Sequence, residues 1–125
     1  MKKTVFSSFI LLLTINSIAF AQISVQAKID SSMLLIGEQT TLRLEVIQDK
    51  NSTVQFPVLT DSIVKGIDIV SVSKQDTSVL ENGQLKINRD VVITSFDSAL
   101  YYIPSLKFFA GKDSFETNPL SLKVY

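Results

Sequence analysis

From Ile23 onward the chain alternates apolar and polar residues in short runs. Ile23, Val25, Ala27 and Ile29 are interleaved with Ser24, Gln26, Lys28 and Asp30, and a period of two gives a strand with one buried face. Met33 to Ile36 leads into a turn at Gly37-Glu38. Leu42, Leu44 and Val46 then alternate with Thr41, Arg43 and Glu45 as a second long strand. Val54 and Phe56 predict a shorter strand stopped by Pro57, whose missing N–H confines it to a strand end or a sheet edge. Asp61 to Gly66 is expected as a connection, with one short helical turn accommodated at Thr60 to Lys65. Ile67, Ile69 and Val72 continue the alternation, and Asn82-Gly83 supplies positive φ angles for a tight hairpin turn.

Gln84 to Phe96 holds two apolar phases, Leu85, Ile87 and Val91 against Val92, Thr94 and Phe96. A bulge near Arg89 to Val92 would reconcile them. Leu100 to Ile103 forms a strand that Pro104 ends. Leu106 and Phe108, a turn at Gly111 to Asp113, Phe115, and a last strand with Leu120, Leu122 and Val124 complete the chain. About seven to nine short strands with little helix favour an antiparallel β-sandwich over a barrel, with the immunoglobulin-like arrangement first.

The first 21 residues break this pattern. Lys2 and Lys3 precede a largely apolar stretch from Val5 to Phe20, and Ala19-Phe20-Ala21 offers small residues at cleavage spacing, which is the form of a secretory signal peptide. Residues 1–21 are therefore expected to be removed, leaving Gln22 as the new N-terminus and residues 22–125 as one domain. An uncleaved signal would act as an N-terminal anchor and still place the domain outside the cytoplasm. The stretch is short and carries Ser7, Ser8, Thr14, Asn16 and Ser17, against the ~20 apolar residues a membrane span needs. The expected location is the periplasm or cell envelope.

Charge and composition narrow the function. Loss of Lys2 and Lys3 leaves ten basic residues against twelve acidic ones, a net charge of −2, which offers no electrostatic footprint for nucleic acid or anionic lipid. The chain has no Cys, so an exported domain must here be held by packing and sheet hydrogen bonds alone. With no His either, imidazole- and thiol-based nucleophilic schemes and metal sites are excluded. Only carboxylates remain for acid–base chemistry, and no spacing singles out a pair for a glycosidase. No EF-hand loop is present, and four isolated glycines make no phosphate loop. The expectation is a non-enzymatic domain with no catalytic, cofactor or metal site. Tyr101, Tyr102, Phe108, Phe109 and Phe115 read as core rather than as a stacking platform. Phe109 is the exception, since Phe108 and Phe109 point to opposite faces of a strand.

Asp97-Ser98-Ala99-Leu100-Tyr101-Tyr102-Ile103 resembles the D-x-A-x-Y-Y-C signature of immunoglobulin variable domains, with Ile103 in place of the cysteine. The resemblance implies a tyrosine corner at Asp97 and Tyr101, the Tyr101 hydroxyl bonding backbone near the turn. The cysteine pair and the Trp of antibody domains are absent.

ISVQAKIDSSMLLIGEQTTLRLEV, FPVLTDSIVKGIDIVS and ITSFDSALYYIPSLKFFAGKDSFETNPLSLKV together resemble the first domain of BatD-like aerotolerance proteins. The most specific elements are Ile36 to Glu38, Phe56-Pro57, Gly66-Ile67, Tyr102 to Pro104 and Thr117 to Pro119. The resemblance implies an immunoglobulin-like envelope domain associated with von Willebrand-type partner proteins and with an oxygen-tolerance label. Members of that family are typically longer, with further β domains and a C-terminal transmembrane helix. Ending at Tyr125 is therefore expected to mean either a truncated reading frame or a single-domain relative. Any membrane association would run through the missing C-terminal anchor or an uncleaved signal. Two roles remain open: binding envelope proteins through sheet edges or end loops, and a structural or adhesive fimbrial-type module in which Ile23 to Ile29 completes a neighbour's sheet.

Overall fold

The structure, a computed structural model, describes residues 22–125; the expected signal peptide, with Ala19 and Ala21 of its expected cleavage site, lies outside the described residues. Eleven strands follow in order: β1 Ser24–Ile29, β2 Met33–Leu34, β3 Gln39–Gln48, β4 Ser62–Val64, β5 Ile67–Val72, β6 Asp76–Val79, β7 Leu85–Thr94, β8 Ala99–Ile103, β9 Lys107–Ala110, β10 Asp113–Glu116 and β11 Leu120–Val124. One sheet has the order β1-β3-β7-β5-β4, with β6 also paired to β7. The other has the order β2-β11-β8, with β10-β9 beyond it. Every pairing is antiparallel except β2 with β11. β1-β3-β7-β5 packed on β2-β11-β8 is the strand order of an immunoglobulin-like β-sandwich.

The core lies between these layers. Leu42, Leu44, Val46, Val91, Ile93 and Ile67 come from the first sheet, and Leu34, Ile103, Phe108, Leu122 and Val124 from the second. Each fully buried side chain of this size contributes about 1.5–3 kcal/mol relative to exposure. Without a disulfide, these contacts and the ladders carry the fold. The two long central strands, β3 and β7, pair over ten residues without a break, from Gln39 opposite Thr94 to Gln48 opposite Leu85.

That unbroken ladder corrects the bulge expected at Arg89 to Val92. Odd-numbered residues of β7 face inward throughout, because Arg89 itself faces inward opposite Leu44. Its guanidinium stands 5.4 Å from the centre of the Phe56 ring, a cation–π contact that lets an arginine occupy an inner position. Phe56 in turn meets Phe108 edge-on with 4.8 Å between centroids. The irregularity sits on the neighbouring strand: β5 shifts register against β7 between Ile69 and Ser71, leaving Val70 as the extra residue.

A real change of face occurs in the last hairpin. β8 with β11 and β9 with β10 keep one continuous register, which places Pro104 opposite Pro119. Neither proline can donate to the ladder, and both strands rotate there. Odd-numbered Tyr101 and Ile103 face inward before the proline, and even-numbered Leu106 and Phe108 after it. Thr117 bridges the interruption, its N–H donating to the Leu106 carbonyl at 3.0 Å and its hydroxyl accepting from the Leu106 N–H at 2.8 Å.

Three local expectations also change. Val54 to Phe56 forms a single bridge, Gln55 with Phe109, rather than a strand. Thr60 to Lys65 makes β4 and a turn, not a helical turn. The hairpin between β6 and β7 turns through Glu81, Asn82 and Gly83: Gly83 alone has positive φ, 86°, and its N–H donates to the Leu80 carbonyl. A three-residue loop ending in a left-handed glycine replaces the expected two-residue turn.

Candidate functional site

Asp97 and Tyr101 come together at the turn between β7 and β8. The Tyr101 hydroxyl donates to the Asp97 carbonyl at 3.0 Å, so Asp97 takes part through its backbone. Ser95, fully buried, places its hydroxyl 3.1 Å from the Tyr101 oxygen and accepts from the Asp97 N–H at 3.3 Å. Sequence reasoning missed Ser95, although its place two residues before Asp97 is where a short side chain folds back on its own turn.

It also missed the surface on which Tyr101 rests. Gly66, at φ 97° in the turn between β4 and β5, lies so close that a Cβ there would stand 2.5 Å from a ring carbon of Tyr101 and 2.8 Å from its oxygen. Glycine is required twice at this position, by the positive φ and by the approach. Tyr101 thereby ties the turn of one sheet to a strand of the other.

A second tie joins the layers at the opposite side of the sandwich. The Asn118 carboxamide accepts from the Ala27 N–H and donates to the Ala27 carbonyl, both at 3.0 Å. It meets β1 as another strand would, and it is positioned by the interruption at Pro104 and Pro119.

The carboxylates are less dispersed than the sequence suggests. Glu45, Asp76 and Asp90 line one open groove on the outer face of the first sheet, with Lys28, Arg43, Lys86, Asn88 and Ser73. Glu45 is only 6% exposed and lies between Lys28 at 3.6 Å and Lys86 at 3.7 Å. Arg43 Nε donates to Asp90 at 2.8 Å; the hydrogen bond and charge of Asp90 raise the arginine pKa above its ordinary value. Bases and acids balance across the groove. Among the described residues no group of three His, Cys, Asp or Glu side chains is placed to hold a metal ion.

The second sheet presents the opposite character on its outer face. Leu100 is 72% and Tyr102 65% exposed. Lys123 sits between Leu100 and Met33 across the sheet, and its ammonium lies 4.9 Å from the Tyr125 ring centre. Met33, Leu35 and Tyr125 are exposed on the same side, and Ile36 and Phe96 are exposed at the adjoining end of the sandwich. On the neighbouring β9, Phe108 is buried and Phe109 is exposed, as their opposite directions require. Gln22, the first described residue, is exposed.

Compared with protein-family models and with curated proteins, the chain matches none.

Proposed function

We propose that this chain is a non-enzymatic, exported envelope domain that binds other proteins, in the manner expected of the first domain of BatD-like aerotolerance proteins, with von Willebrand-type proteins as the partner class. The observation that carries the reading is the set of exposed apolar side chains on the outer face of the second sheet: Leu100 and Tyr102 on β8, separated by Lys123 from Met33 on β2, with Tyr125 beside the lysine. Large apolar side chains left exposed on one face mark an interaction site, and tyrosines contribute strongly to interfaces. The non-enzymatic part rests on the residue inventory, which lacks His and Cys, and on an outer groove in which Glu45 and Asp90 are paired with Lys28, Lys86 and Arg43.

A structural or adhesive module fed by strand donation from Ile23 to Ile29 has weaker support. β1 pairs with β3 along its whole length, buries Ala27 and is held by Asn118, as an ordinary first strand would be. The export reading rests on the signal pattern and is tested by sequencing the N-terminus of the protein recovered from the envelope, with Gln22 as the expected first residue.

The binding role is tested by immobilising the chain and its Met33→Lys variant, at an exposed outer-face position away from β8, and passing envelope extract over both. A von Willebrand-type protein retained by the parent and lost from the variant is expected. Equal recovery on both, or none above background, contradicts the reading.

A further inference from the structure

Edge strands in natural sheets usually carry a lysine, a proline, a bulge or a cover that stops a second chain from pairing with them. Most edges of this sandwich do. β1 has Lys28 along it and Asn118 across the middle of its outer side. β4 is three residues long and shifts register against β5. β6 begins at Asp76, and β10 has Asp113 and Glu116 at its ends.

β8 has none of these devices. Ala99, Leu100, Tyr101, Tyr102 and Ile103 include no charge and no proline, and their register with β11 is unbroken. The direction of their backbone groups follows from β11. Lys123 and Tyr125 donate their N–H groups away from β8, to the carbonyls of Ser32 and Leu34, so Leu122 and Val124 face β8. Their partners Tyr101 and Ala99 face β11 in turn, because opposed residues of an antiparallel pair point either toward or away from each other together. The N–H and C=O groups of Leu100 and Tyr102 therefore point out of the sheet edge, where no described residue bonds them.

We infer that this edge pairs with the same edge of a second copy, antiparallel about a twofold axis at Tyr101. In that register Leu100 stands opposite Tyr102 of the second copy, and Tyr102 opposite its Leu100, each pair exchanging both backbone hydrogen bonds. The arrangement is self-complementary, as a twofold interface must be. Each pair also brings an aliphatic side chain against an aromatic one on the outer face, a favourable cross-strand combination. No like charges meet within the paired strands. Lys123 is one strand removed and stays more than about 14 Å from its counterpart, three strand spacings away and two residues along. Pairing continues the apolar face of one copy into that of the other across a six-stranded sheet. A second copy thus completes what a heterologous strand would have to imitate residue by residue.

The inference rests on the protein-binding reading above and adds to it a second copy at the β8 edge, the outer face being left to the heterologous partner. Sedimentation velocity of the purified chain, as its host processes it, over about 1 µM to about 1 mM is expected to show a monomer–dimer equilibrium. Amide hydrogen exchange at Leu100 and Tyr102 should slow as the dimer fills, while Tyr101 stays constant. Leu100→Lys, at an exposed position, is expected to raise the dissociation constant by about tenfold or more with an unchanged circular dichroism spectrum. Tyr102→Lys should do the same, and Val79→Lys on β6 should not. A monomer at every concentration, or a dimer that survives both β8 variants, overturns self-pairing. Neither result removes binding to another protein, which the envelope extract judges separately.

Discussion

The two sheets each end in a strand of similar length, and the two edges are treated in opposite ways. β1 spends its outward groups at Ala27 on the carboxamide of Asn118, a residue 91 positions away in sequence. β8 leaves the outward groups of Leu100 and Tyr102 without a partner among the described residues, and surrounds them with exposed apolar side chains. Both strands bury one face, so the burial pattern does not separate them, although β1 interleaves polar residues and β8 carries no charge. The difference teaches that an edge is closed by a single polar side chain delivered from another layer, and that an edge lacking one is a surface for pairing.

Gly66→Ala tests the support beneath the open edge and has the largest expected effect. A Cβ would collide with the Tyr101 ring and sit at a positive φ, so a loss of about 3 kcal/mol is expected in denaturant unfolding. A change under about 1 kcal/mol would mean that β8 is not braced by this turn. Asn118→Ala acts on the closed edge. It removes two hydrogen bonds and exposes the outer side of β1, with an expected cost of about 1.5 kcal/mol and faster exchange of the Ala27 amide. Unaltered exchange there would remove the distinction between the edges.

Tyr101→Phe is smaller, because only the hydroxyl leaves. The Asp97 carbonyl loses a donor, and about 1 kcal/mol is expected; an unchanged unfolding midpoint would retire the corner. Asp90→Asn sets the floor of the series. Its partner Arg43 is solvent-accessible, exposed ion pairs add little, and the midpoint is expected to stay where it is. Destabilisation equal to that of Asn118→Ala would give the outer groove a structural weight that its exposure does not suggest.

Where one face of a strand is buried and the other wet, the sequence is easy to read. Ile23 to Asp30, Leu42 to Val46 and Leu120 to Val124 all became strands close to their expected limits. β6 left no trace, because Asp76, Thr77, Ser78 and Val79 are all exposed and offer no contrast between faces. In β7 the alternation was broken by Arg89, whose inward placement depends on Phe56, a residue from a distant bridge. The face change at Pro104 and Pro119 was hidden for a related reason: each proline alone ends a strand, and only their opposition turns two endings into one coordinated rotation. The corner residues Asp97 and Tyr101 were legible because their contact spans four positions. Gly66 beneath Tyr101, Asn118 against Ala27 and the open side of β8 arise from chain crossings that spacing does not encode.

Amide hydrogen exchange on the dilute chain, read residue by residue at Ala27, Leu100 and Tyr102, tests the contrast between the edges most directly. Ala27 is expected to exchange slowly under its Asn118 cover, and Leu100 and Tyr102 to exchange far faster than Tyr101 between them. Protection of Leu100 and Tyr102 in the monomer, equal to that of Tyr101, would contradict an open β8 edge.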